Sequence, residues 1–136
     1  MHETFDHTAD LGLRVRTPDL NQLFVEAAQA LFSAIVDDLA TVESKERVDI
    51  NLQGDDWGYL LFDWLNELLF RFDSEHLLFG KFEVRIKNDN LQGSAWGEPL
   101  DPSRHSLAHE VKAITYHGLR VEKERDEWLA EVIVDI

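Results

Sequence analysis

Two short segments of this chain of 136 residues concentrate groups that do chemistry. The first, Asp6-His7-Thr8-Ala9-Asp10, sets two carboxylates, an imidazole and a hydroxyl side by side. The second is the final pair, Asp135-Ile136, where the sequence stops on a strand pattern rather than in a polar tail. Chain ends usually fray, so a terminus held on a strand brings its own carboxylate beside the Asp135 side chain. If the last strand pairs near the first, Asp10, Asp135 and the Ile136 carboxylate converge. Such charges share a small space only around a cation, because repulsion otherwise raises their pKa values or opens the structure. Donors that are all oxygen select a hard ion, calcium or magnesium, over zinc or copper. The plainer alternative for the first segment is a turn cluster, since Asp and Thr readily satisfy loop amides.

A third feature is Lys112, within Glu110-Val111-Lys112-Ala113-Ile114-Thr115-Tyr116. Read as a strand over 110–116, this segment puts Lys112 on one face with Ile114 and Tyr116. It is then either a lysine snorkelling at a sheet rim or a cation kept to meet a phosphate, a nucleotide or a partner carboxylate. His7 and His117 flank these segments and read equally as hydrogen-bonded structural histidines. His105 and His109 lie four apart, but a Pro-containing loop gives that spacing no helical meaning as a metal pair. No Walker loop, GxGxxG, HExxH or GxSxG pattern is present, so no catalytic residue is assigned.

Composition narrows the classes. Thirteen Lys and Arg against 27 Asp and Glu leave a formal charge of −14. Duplex binding relies on Lys and Arg displacing counterions, so strong unaided nucleic-acid binding is not expected, and work on RNA would go through a basic partner. Cysteine is absent, which excludes disulfides, thiolate metal sites and cysteine nucleophiles. The acidic, polar start MHETFDHTAD has neither a secretory nor a transit character, and no apolar run nears the ~20 residues of a membrane span. A cytoplasmic protein of one domain over residues 1–136 is expected.

The elements that must position these groups follow from periodicity. Leu11, Leu13 and Val15 alternate with polar residues as a strand. Thr17 as N-cap, with Pro18 at the first helical position, opens a helix over about residues 19–36, whose stripe runs through Leu20, Leu23, Phe24, Ala27, Ala28, Leu31 and Ile35. Val48, Ile50 and Leu52 mark a strand, which Gly54-Asp55-Asp56 ends as a second helix opens. That helix is apolar over more than half its girth, from Trp57 to Phe72, with Tyr59, Phe62 and Phe70 off the stripe. It is therefore either packed on two sides or presented to a partner. Strands at 81–87 and 91–96 flank an Asn88-Asp89-Asn90 turn. Residues 97–109 read as a loop, Gly118 as a bulge or kink before a strand at 119–122, and Trp128 to the end as the last strand. The order predicts an α+β domain: two helices packed on a mostly antiparallel sheet, strand-helix-strand-helix and then strands linked by hairpins.

Taken together, Asp6-His7-Thr8-Ala9-Asp10-Leu11-Gly12, Glu110–His117 and Asp135-Ile136 resemble the archease family. The helix run Leu23–Phe32 and the Gln53-Gly54-Asp55-Asp56 lead into the second helix fit it as well. The resemblance implies a protein cofactor rather than an enzyme: a helper of the GTP-dependent RNA ligase that joins tRNA halves, promoting its guanylylation and multiple turnover. It further implies a divalent cation, calcium first, with magnesium or manganese as alternatives, on Asp10, Asp135 and Ile136. Lys112, with His7 and Asp6, would then face the ligase or its nucleotide. Two other classes stay open: a stand-alone metal-dependent phosphoester hydrolase with His7 or His117 as general base, and a chaperone or adaptor using the surplus apolar face of the second helix.

Overall fold

The computed structural model describes every residue except Thr8 and Ala9, with Asp6 and His7 described by their backbone alone. Among the described residues, eight strands form two antiparallel sheets. In the first, β1 (His2–His7), β2 (Asp10–Thr17), β8 (Glu127–Asp135) and β6 (Ala113–Ile114) lie in that order, and β7 (Arg120–Glu124) shares the far edge of β8 with β6. The second has the order β3 (Glu46–Gln53), β5 (Asn90–Pro99), β4 (Leu77–Lys87). Helices α1 (Leu20–Ile35) and α2 (Trp57–Glu75) lie between the sheets. Helix α1 packs on β2 and β8 from one sheet and β4 from the other, and α2 packs on β3 and β4 as well as β6 and β7.

That placement covers the apolar stripe of α2 from both sides, while Trp57, Tyr59 and Phe70 of its wider girth stay exposed. Leu60, Leu61, Trp64, Leu65, Leu68 and Leu69 are buried in one continuous core with Leu23, Phe24, Leu31 and Phe32 of α1. The Trp64 indole N–H donates to the Phe24 carbonyl at 3.1 Å, satisfying the one polar atom this large side chain takes into the core. The Trp64 ring lies so close over β5 that a Cβ at Gly93 would stand 2.4 Å from it. The outer face of the first sheet repeats the device: the Phe5 ring covers Gly12, leaving 2.2 Å for a Cβ, and Arg14 stacks on that ring at 4.5 Å.

The α+β class and both helices stand as the sequence predicts, with local corrections. The cap of α1 is Asp19, not Thr17: Asp19 has extended backbone and its carboxylate accepts from the Gln22 amide, so Pro18 precedes the helix. Thr17 instead bonds the Asp19 amide and carbonyl through its hydroxyl, shaping the approach. Helix α2 is capped by Asp56 as expected. The β4–β5 strands are longer than the apolar alternation suggests, and β5 runs on to Pro99, so the loop is shorter than 97–109. Gly118 (φ +66°) sits in a turn before β7 rather than in a bulge. No helix among the described residues is long and apolar enough to cross a membrane.

Candidate functional site

The start of β2 and the end of β8 meet at one corner of the first sheet. Strands β2 and β8 pair antiparallel with Asp10 directly opposite Asp135, and Ala113 of β6 faces Asp135 from the other side. Directly opposed residues of an antiparallel pair share a face with Cβ atoms about 5 Å apart, so the two carboxylates project together. Both residues are half-buried. The Ile136 side chain packs against the core, which fixes the residue beyond Asp135. In β1, His7 takes the register position opposite Asp10, and Asp6 the one opposite Leu11. Thr8 and Ala9 of the five-residue motif lie outside the described residues.

The segment carrying Lys112 is fastened along the end of β8. The Lys112 amide donates to the Asp135 carbonyl at 2.7 Å, and both the amide and the hydroxyl of Thr115 donate to the Ile133 carbonyl, at 3.0 and 2.9 Å. Only Ala113–Ile114 is strand, however, and the expected strand over 110–116 is corrected. The reason lies upstream: the amides of Ala108 and His109 donate to the Ile35 and Ala34 carbonyls at the end of α1, so the chain reaches β8 from the helix layer. Val111 and Ile114 are buried while Lys112 is exposed, so Lys112 does not share a face with Ile114. It borders a groove of about 570 Å³ floored by Ile35, Phe72 and Val111 and rimmed by Asp73, His76 and His109.

Among the described residues, no three His, Asp or Glu side chains gather in a metal-holding group. Two of the histidines singled out by sequence have defined surroundings. The His105 Nδ1 accepts the Asp101 amide at 2.9 Å, so its Nε2 carries the proton and meets Glu98 Oε2 at 3.0 Å. Both ring nitrogens are used, and the His105/His109 pair is not a ligand pair. His117 is exposed, and its amide bonds the Thr115 hydroxyl at 3.3 Å.

Glu98 is a buried charge that the sequence did not disclose. It is 1% exposed and accepts from the Glu43 amide at 2.7 Å, from His105 and from Arg104, with Lys45 Nζ at 3.4 Å. Burial pushes this carboxyl up, but those four donors outweigh it and hold the group at about 2. Its partners come from two separate stretches of sequence, 43–45 and 104–105, and Glu98 itself sits in a plain strand. The Glu98-x-x-x-x-x-Arg104-His105 spacing is the only trace, and it specifies nothing alone.

The comparisons with known proteins converge. The model of the Archease protein family (MTH1598/TM1083) matches residues 2–136. The protein archease of Methanopyrus kandleri is 46% identical, with 98% of each chain covered, and that of Sulfurisphaera tokodaii is 42% identical, covering 98% of this chain and 97% of the relative. The solution structure of Methanobacterium thermoautotrophicum protein 1598 superposes with a TM-score of 0.87 at 40% identity, over 99% of this chain and 98% of that one. A crystal structure from Thermotoga maritima, described as an archease and "possible chaperone", shares the fold with a TM-score of 0.69 at 19% identity, over 100% and 98% of the two chains. Matched along its whole length by the family model and by close relatives, the chain is a member of the archease family.

Proposed function

We propose that this chain is a protein cofactor of the GTP-dependent tRNA-splicing RNA ligase, promoting ligase guanylylation and multiple turnover while holding a divalent cation at Asp10, Asp135 and the Ile136 carboxylate. Family membership supports the reading. The observation that carries it is the register of Asp10 opposite Asp135, which sets two carboxylates on one face beside the end of the chain. This donor set is oxygen throughout and includes a main-chain carboxylate, which suits a hard ion such as calcium. Bound there, such an ion supplies positive charge against a triphosphate, the electrostatic need of nucleotidyl transfer.

The remaining roles belong to the chain itself. Strands β2, β6 and β8 hold the two aspartates rigidly, because each is tied by ladder bonds on a covered sheet. Lys112 leaves its backbone on Asp135 and its side chain in solvent, where the ammonium meets a phosphate or a ligase carboxylate. His7 and Asp6 border the same corner through their register positions. The formal charge of −14 steers the protein to the basic mouth that an RNA-joining enzyme needs, and makes that docking fast and salt-sensitive.

The deciding experiment is a ligation assay with substrate in large excess over ligase, with and without this protein. Added protein should turn a single round into many. Asp10→Ala and Lys112→Ala should each abolish the stimulation while remaining folded; full stimulation by both variants would remove the mechanism. The exposed aromatics Trp57, Tyr59, Phe70 and Tyr116 support a second reading as a general chaperone. That role predicts suppression of aggregation of unrelated proteins without any metal, which a dedicated ligase helper does not show.

A further inference from the structure

Three aromatic rings meet at the surface where α2 faces the turn before β7. The Tyr116 ring stacks on Phe62, with centroids 4.0 Å apart and planes 16° from parallel. Tyr59 stands at 73° to Tyr116, with centroids 5.7 Å apart. The two tyrosine planes thus form a corner, and each tyrosine is more than half exposed, at 60% and 58%. Two large rings kept in solvent and ordered against each other are not explained by core packing, since Phe62 alone reaches the core.

The charges around this corner say what it can receive. Asp63 lies one helical turn beyond Tyr59 and is exposed, as are Asp55 and Asp56 at the start of the helix. Asp56 caps the Tyr59 amide at 3.0 Å, so the helix N-terminus is already served by the chain's own carboxylate. A cavity of about 280 Å³ opens between Tyr59, Tyr116 and Leu119. Arg120 also lines it, but its guanidinium is held by Glu122 at 2.8 Å and by Glu131. Elsewhere this chain covers ring faces with its own cations: Arg14 on Phe5, Arg47 and Lys81 on Trp96, and Lys123 on Trp128. Among the described residues, none of its cations lies over Tyr59, Phe62 or Tyr116.

We infer that the Tyr59–Phe62–Tyr116 corner is a docking site for a basic, arginine-bearing segment of a protein partner. A guanidinium stacks on aromatic faces and pairs with nearby carboxylates at once, which is the combination this surface offers. The net charge of −14 disfavours the two other occupants, a second copy of the chain and a nucleic acid, since both are anionic. Its residues are not those of the Asp10–Asp135 pair, and it needs no bound ion.

The test is a nuclear magnetic resonance titration of the full chain with a capped glycine-arginine pentapeptide at low salt. The expected result is an upfield ring-current shift of the arginine side-chain protons, with shifts in the protein centred on Tyr59, Phe62, Asp63 and Tyr116. Tyr116→Leu should weaken binding about fivefold or more, with the fold checked by circular dichroism. Tyr59→Ser serves if that variant does not fold. Trp96→Leu, at a site filled by the chain's own cations, should bind as the parent does. Absence of binding, shifts spread evenly over the acidic surface, an equal response to an RNA oligonucleotide, or self-association through these residues in sedimentation would each overturn the inference. None of these outcomes depends on ligase stimulation, so failure here leaves the ion-site reading standing and the reverse also holds.

Discussion

Two clusters of carboxylates in this protein solve opposite problems. At Glu98 the chain buries a charge and surrounds it with its own donors: Arg104, Lys45, His105 and the Glu43 amide. Where the start of β2 meets the end of β8 it places one aspartate opposite another. The first arrangement is complete as it stands and belongs to stability. The second sets two aspartates in register on one face, the placement the proposed ion would use. The register thus sets a structural charge network at Glu98 apart from a pair of opposed aspartates at the corner, where the proposed ion would sit.

The comparison is broken most directly at Glu98. Glu98→Ala leaves the neutral His105 and the Glu43 amide without their acceptor, and Arg104 and Lys45 without their anion. Breaking a buried pair costs about 3–5 kcal/mol; because Arg104 and Lys45 are substantially exposed, about 3 kcal/mol is expected in urea unfolding. The pH dependence has a definite sign. The folded carboxyl sits at about 2 against 4.5 for the ordinary group, so its stabilisation is fully present above pH 4.5. It is lost as pH falls from there toward 2, by roughly 3 kcal/mol in all. Glu98→Gln should flatten that part of the stability curve, and an unchanged acid limb would show that Glu98 is not held low.

The aspartate corner should behave in reverse. Calcium at about a hundred times its dissociation constant should raise stability by about 2.7 kcal/mol, read as a higher melting temperature. Asp135→Asn should abolish that gain, because it removes one of the proposed donors, while the variant stays folded by circular dichroism. Extending the chain beyond Ile136 by a Gly-Ser pair keeps both aspartates but moves the terminal carboxylate away, and should weaken calcium binding in calorimetry. Undiminished binding by the extended chain would remove Ile136 from the ligand set.

What the sequence disclosed divides along the same line. Helix α2 was legible because independent cues agree: an Asp56 cap, an apolar stripe and strand signals on either side. The pairing of the Leu11–Val15 strand with the last strand was legible as a possibility because both alternate apolar residues and both border acids. Strand β1 was not, because Phe5 is the only bulky apolar residue in His2–His7; it is an edge strand held by its ladder with β2 and by one ring over Gly12. The α1 cap was misplaced by two residues because Thr17 and Asp19 are both good caps, and only the extended backbone at Asp19 decides between them. The Glu98 network was hidden because its partners converge only after folding. A buried acid in a strand has no periodic signature, since alternation describes which side a residue faces and not what it meets there.

Lys112 tests the comparison with the smallest effect on the fold. Its side chain is exposed, and its one defined tie to the corner, the amide bond to Asp135, is made by the backbone and survives substitution. Lys112→Ala should therefore change unfolding free energy by no more than about 0.5 kcal/mol, the usual range for a surface position, and should leave calcium affinity within about twofold, as expected for an exposed charge that salt screens. Ligase stimulation should nonetheless fall to the unassisted level, and Lys112→Arg should restore part of it if charge matters more than the shape of the head group. A variant that loses stimulation without losing stability or ion binding places the ammonium at the interface between the two proteins. A variant that loses calcium binding in parallel would instead make Lys112 part of the corner's own architecture, and the distinction between a self-contained charge network and a site open to a partner would have to be redrawn there.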